Sequence, residues 1–299
     1  MGSHRRTRQS LNSTWLAAAL MGVIGLCSAE QAHALIPYVY TPSTQELEGA
    51  GIGIGRTAAQ LLRLGQPKEA ARLAALAVRL QPNDERLWSV LAEAQLRSDQ
   101  LDNAANSLAR AKSLDPTNAG LWFAEASLAL RDNRPDDAIP LLDRGLKLDP
   151  KNATAYFDLG NARVMQSDPK RALQAFERAT ALKPQFWEAL NNQSLVLFEM
   201  GNVKEAIRRW RSVLKIDTNP EPMLALAAAL NKVNAGDQES IELARKALDK
   251  DPNYVLPGHQ KKQLWGSKLR RATADLLRNP SLQNTVERAE ANADPTNVN

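Results

Sequence analysis

Few residues in this sequence have the type and spacing to do chemistry. The run Gly49-Ala50-Gly51-Ile52-Gly53-Ile54-Gly55 has the look of a loop that cradles phosphate on backbone amides, which needs a buried strand before it and a helix start after it. No apolar β-branched run precedes Gly49, so the segment reads as a flexible entry into a helical unit. Asp136-Asp137 offers two carboxylates, but acid–base work requires them to converge on a pocket with separated pKa values. At the start of a predicted helix they offset the N-terminal dipole instead. The nucleophile elbow G-x-S-x-G, the zinc-binding H-E-x-x-H and the phosphate-binding G-K-[ST] do not occur. The reading is of a non-enzyme with no cofactor and no metal.

The first 34 residues carry their own signal. Arg5, Arg6 and Arg8 form a basic start, Trp15 to Cys27 an apolar run, and Ala32-His33-Ala34 a small-residue site, so a secretory signal peptide cleaved between Ala34 and Leu35 is expected. The apolar run is short for a bilayer span, leaving a retained anchor as the minor alternative. Cleavage would remove three Arg and Glu30 from a net charge of +5, leaving +3. It would also remove Cys27, His4 and His33, leaving His259 alone, so disulfides, zinc sites and Cys/His catalysis are excluded for a processed monomer. Interspersed charges and export argue against a nucleic-acid partner. The expected location is the periplasm, or the thylakoid lumen in a photosynthetic source.

The elements that must position any site follow from composition and period. Hydrophobic residues are 43% but aromatics only 5%, so Ala and Leu carry the apolar content and favour helix. Pro82, Pro116, Pro150, Pro184 and Pro252 are spaced by 34 residues or twice that, with Thr218 in the vacant place. Each proline stops one helix and opens the turn into the next unit. Ala70, Ala104, Ala138, Ala172 and Ala206 keep the same period, continued by Ser240, where small side chains let paired helices approach. Trp88, Trp122, Tyr156 and Leu190 recur on the first helix of each unit.

With these residues the chain resembles the tetratricopeptide repeat family, and its fourth unit is the nearest copy, with Tyr156, Leu159, Gly160, Ala172, Phe176, Ala179 and Pro184 on the consensus. The resemblance implies an all-α fold, a right-handed superhelical α-solenoid of about six 34-residue helix-turn-helix repeats at 51–84, 85–118, 119–152, 153–186, 187–220 and 221–254. It also implies a concave groove lined by first-helix side chains. Those positions hold Arg97 in the second unit, Phe123 and Arg131 in the third, and Phe157, Asp158, Asn161 and Met165 in the fourth. The fifth supplies Glu188, Asn191, Asn192, Leu195, Phe198 and Glu199. The asparagines could pair with the amides of an extended peptide while the phenylalanines receive apolar side chains; the alternative is solvated asparagines, with Phe157 packed within the array. Members that clamp a C-terminal carboxylate need cations where Phe157, Pro222 and Leu226 stand, so carboxylate clamping is rejected.

Outside the repeats, 35–50 reads as a linker, 255–278 as a capping helix over the last unit, and 279–299 as a disordered tail with little apolar surface. The expected function is an exported adaptor that binds a partner polypeptide in its groove and assists assembly of an envelope or thylakoid complex. A competing reading is an oligomeric or membrane-associated scaffold using the basic C-terminal helix; an accessory subunit of an enzyme is a weaker one.

Overall fold

The computed structural model describes residues 42–294 and 296, so the expected leader, the Ala34/Leu35 cleavage point and the first part of the expected linker lie outside the described residues. Regular structure among the described residues is entirely helical. Six consecutive helix pairs run α1 (Thr44–Arg63) with α2 (Pro67–Leu80), α3 (Glu85–Arg97) with α4 (Leu101–Leu114), and α5 (Ala119–Arg131) with α6 (Pro135–Leu148). They continue as α7 (Ala153–Met165) with α8 (Pro169–Leu182), α9 (Trp187–Glu199) with α10 (Val203–Val213), and α11 (Pro220–Val233) with α12 (Gln238–Lys250).

Local chemistry sets these boundaries. Asp84, Asn118 and Asn152 cap the starts of α3, α5 and α7 by accepting backbone amides of Arg86, Gly120 and Ala155. Pro67, Pro135 and Pro169 stand in the first turn of α2, α6 and α8, where a missing amide donor costs nothing. The turn inside each pair crosses the left-handed region at Gly65, Asp99, Asn133, Ser167, Gly201 and Gly236. The prolines also anchor the next unit: Trp88 Nε1 donates to the Pro82 carbonyl at 2.9 Å, and Trp122 Nε1 to that of Pro116 at 3.0 Å.

Each helix packs on the next, and first helices of neighbouring units also touch. The resulting core is a right-handed superhelical α-solenoid of stacked pairs. Ala70, Ala104, Ala138, Ala172, Ala206 and Ser240 are all fully buried, as close approach within each pair demands. Gly160 is another such approach, for a Cβ there would lie 2.7 Å from Cζ of Phe176.

The two ends differ from expectation. Residues 44–50 are helical, not linker, because Ser43 and Glu46 form a reciprocal capping box that starts α1 ahead of the glycine run. At the other end a 3-10 turn (Pro252–Val255) closes the last unit, and the expected single helix over 255–278 is broken into α13 (Pro257–Lys262) and α14 (Ser267–Leu277). The break falls at Leu264, whose φ of 61° ends α13. α14 covers the last pair on α11 and reaches beyond it. It lies across α9 and α11, the first helices of the fifth and sixth pairs. End-capping falls to α15 (Gln283–Asn292), inside the expected disordered tail, which packs on α12 and on the Pro252–Val255 turn. Leu282, Thr285 and Ala289 supply its buried contacts. Among the described residues no helix is long and apolar enough to cross a membrane.

Candidate functional site

The first helices of the third to fifth units bring part of the expected groove together. Asn192 Nδ2 donates to Asn161 Oδ1 at 2.9 Å, tying α9 to α7 across the floor. Beside this pair, Phe157, Asn161, Asn191 and Asn192 share a cleft of about 420 Å³ with Trp187, Glu188, Glu221, Tyr254, Lys262 and Leu264. A second cleft of about 260 Å³, mostly apolar, is walled by Val164, Leu195, Val196 and Leu264, and meets the first at Asn192. Leu264 also borders both, so the C-terminal segment forms one wall of each.

Several expected groove residues serve the scaffold instead. Asn191 is 1% exposed; its Oδ1 accepts from the buried Trp210 Nε1 at 2.9 Å, and its amide reaches Asn192 and Glu221. An indole donor inside a core needs such a partner, and Asn191 supplies it. Phe198 is equally buried, its ring tilted against Trp210 at 5.9 Å. Leu195 is buried as well, contributing only an edge to the apolar cleft. Phe157 lies 5.1 Å from Phe186 and 5.8 Å from Phe176, holding α7 to α8 and to the start of α9 with one edge facing the cleft. Phe123 packs against Gly145 of α6, which has no side chain to obstruct the ring.

Arg97 and Arg131 are exposed but engaged. Arg97 pairs with Glu93 at 2.7 Å and donates to the Leu62 carbonyl, while Arg131 pairs with Asp99 at 2.7 Å and donates to the Leu96 carbonyl. Each arginine therefore fastens the C-terminus of the preceding unit's first helix, where a cation suits the dipole. Met165 is half-buried at the end of α7. Asp158 is partly buried on α7, three residues before Asn161 and hence on its face. It makes no hydrogen bond or ion pair among the described residues, and burial pushes its carboxyl up to about 6.

The residues that close the groove lie where sequence reasoning saw a cap. Glu199 accepts from the amides of Lys268 at 3.2 Å and Leu269 at 2.8 Å, capping α14 from a different helix. Gly266 permits this, since a Cβ there would collide with the Glu199 carboxyl, 2.6 Å from Oε1. Trp265 Nε1 donates to Glu221 Oε1 at 3.0 Å, and burial pushes the Glu221 carboxyl up against the opposing effect of this bond and that from Asn191. Burial, then the charges of Glu221 and Asp251, push the Tyr254 hydroxyl up as well. Of the basic C-terminal residues, Lys268 and Arg270 are spent on the carbonyls of Glu199 and Trp265. One sequence signal did announce this closure. The stretch Pro222–Ala229 is buried throughout, and a helix apolar all round must be covered all round.

Stacked helix pairs around a groove floored by first-helix side chains define an α-solenoid built for contact with other chains. Residues 123–185 and 157–217 match the tetratricopeptide repeat family model, and the described helix pairs share the fold of that family. No curated protein matches the sequence significantly. Among solved structures it is similar to PilF of Pseudomonas aeruginosa, at 16% identity and a TM-score of 0.59 over 78% of this chain and 99% of that one. PilW, described as a widely conserved type IV pilus biogenesis factor, gives 20% identity and a TM-score of 0.59 over 74% and 97%. YrrB, described as a TPR protein with an unusual peptide-binding site, gives 21% and 0.51 over 64% and 99%. Such identities establish a shared fold.

Proposed function

We propose that this protein is an exported, non-enzymatic adaptor that holds an extended segment of a partner polypeptide along α3, α5 and α7, ending at the wall made by Leu264. The observation that carries the reading is the Asn161–Asn192 pair between two clefts. Asn161 keeps its own amide donor unused among the described residues, beside the cleft of about 420 Å³ that it lines. Peptide backbones are recognised by such side-chain amides, with neighbouring pockets taking alternate side chains. The adaptor role in envelope or thylakoid assembly rests on the basic, apolar leader of the sequence together with similarity to a pilus biogenesis factor.

The test is affinity capture from extracts and membranes of the source cells with the full chain, beside Asn161→Ala/Asn192→Ala and a control, Arg72→Ala, on the exposed face of α2. A partner captured by the parent and control but lost from the Asn variant supports the groove. Retention by all three moves the binding face elsewhere.

A further inference from the structure

We infer that the segment bound in this groove carries basic side chains, which face Asp158 and Glu188, next to an apolar side chain seated in the cleft between Leu195 and Leu264. This rests on the peptide-groove reading above and adds the chemistry of the occupant. The charges of the concave face are unevenly matched. In the second and third units Arg97 and Arg131 are each neutralised by a carboxylate of this chain and bound to a backbone carbonyl, so neither is free to attract an acidic segment.

In the fourth and fifth units the imbalance is reversed. Neither Asp158 nor Glu188 has a hydrogen bond or ion pair among the described residues. The larger cleft is lined by Glu188 and Glu221 against the single cation Lys262, which already donates to the Thr296 carbonyl. A partly desolvated carboxylate without a counter-ion is unfavourable, and the cost is recovered when a ligand supplies the cation. The elevated carboxyl of Asp158 reflects that missing partner, since burial is its sole cause. An acidic segment, or a terminal carboxylate, would meet like charge.

Geometry fixes the register. Asn192 borders both clefts, so a backbone held at Asn161–Asn192 directs one side chain into the apolar cleft of about 260 Å³ and its neighbours toward the acidic side. Val164, Leu195 and Val196 give that cleft room for one Leu-sized side chain.

The experiment is selection of a phage-displayed random dodecapeptide library on the full chain, followed by fluorescence anisotropy of the selected peptides at neutral pH. Enrichment of Lys or Arg near an apolar residue is expected. Replacing the basic residues by Gln weakens binding about tenfold, and Asp158→Asn/Glu188→Gln abolishes that difference while thermal melting shows the variant folded. Selection of neutral or acidic peptides, or of basic peptides that bind the carboxylate variant equally well, overturns the inference. The groove itself survives those outcomes if Asn161→Ala/Asn192→Ala still abolishes binding. Peptides indifferent to the Asn variant, or no enrichment at all, overturn both.

Discussion

Asp158 is a carboxylate that no cation neutralises among the described residues, and this has a consequence for stability that needs no ligand. Its folded pKa, about 6, stands above the ordinary value of 3.8, so the native state prefers the protonated form. A group raised in this way destabilises the fold progressively as pH climbs from about 4 through 6, and the penalty vanishes below both values. Asp158→Asn is therefore expected to stabilise the protein by roughly 1–2 kcal/mol at pH 7.5, with the gain shrinking toward zero at pH 4; paired denaturant melts at the two pH values measure it. A gain independent of pH would show that the charge is not its source. A second contrast separates scaffold from surface. Asn191→Ala orphans the Trp210 indole inside the core and takes one partner from Glu221, and is expected to cost about 2–3 kcal/mol. Asn161→Ala, on the open floor, is expected to change stability by less than about 0.5 kcal/mol. Both asparagines were legible as first-helix residues of the groove. Which one turns inward was not, because that depends on an indole that α10 places nineteen residues away in sequence.

At the scale of the element, the recurring prolines and alanines were readable because residue identity repeats with period 34. The turn inside each pair repeats just as strictly in conformation, at residues 65, 99, 133, 167 and 201, yet its occupants are Gly, Asp, Asn, Ser and Gly. A left-handed backbone can be filled by several residue types at different cost, so the signal is spread over an unlike set. Ser167, at φ 60°, is the least suited of them. Ser167→Gly is expected to stabilise the fourth pair by about 0.5–1 kcal/mol, and Gly201→Ala, at φ 89°, to destabilise the fifth by about 1 kcal/mol, both read from urea midpoints at constant slope. The same limit explains α15. Its buried contacts are Leu282, Thr285 and Ala289, too few and too small for composition to distinguish an ordered helix from a tail, and only the exposed end of α12 makes them sufficient.

For the whole molecule, the C-terminal segment sets how much of the solenoid is open. α14 buries Leu269 and Leu276 against α9 and α11, and Trp265, Tyr254 and Glu221 close the space between them. In a linear array each unit is stabilised by its neighbours alone, so loss of a covering element is felt locally and decays along the stack. A chain ending at Leu256 would uncover the faces of α11 and α9 on which α14 packs, within the core that holds Leu197, Phe198, Leu224 and Leu226. Uncovering several side chains of this size costs on the order of 5 kcal/mol, more than one pair can lose and remain folded. Hydrogen exchange of the truncated chain is expected to show protection lost from α9 to α12 and kept in α3 to α6. Uniform protection would mean that α14 merely rests on a finished groove, and uniform loss that the stack folds as one cooperative block. The local outcome is the one the contacts favour, because the large continuous core runs from Leu195 to Ala289, whereas the earlier units are divided among smaller clusters, each confined to adjoining pairs. The segment that fills one end of the groove thereby leaves the length from α3 to the Asn161–Asn192 pair as the one in which we propose a partner binds.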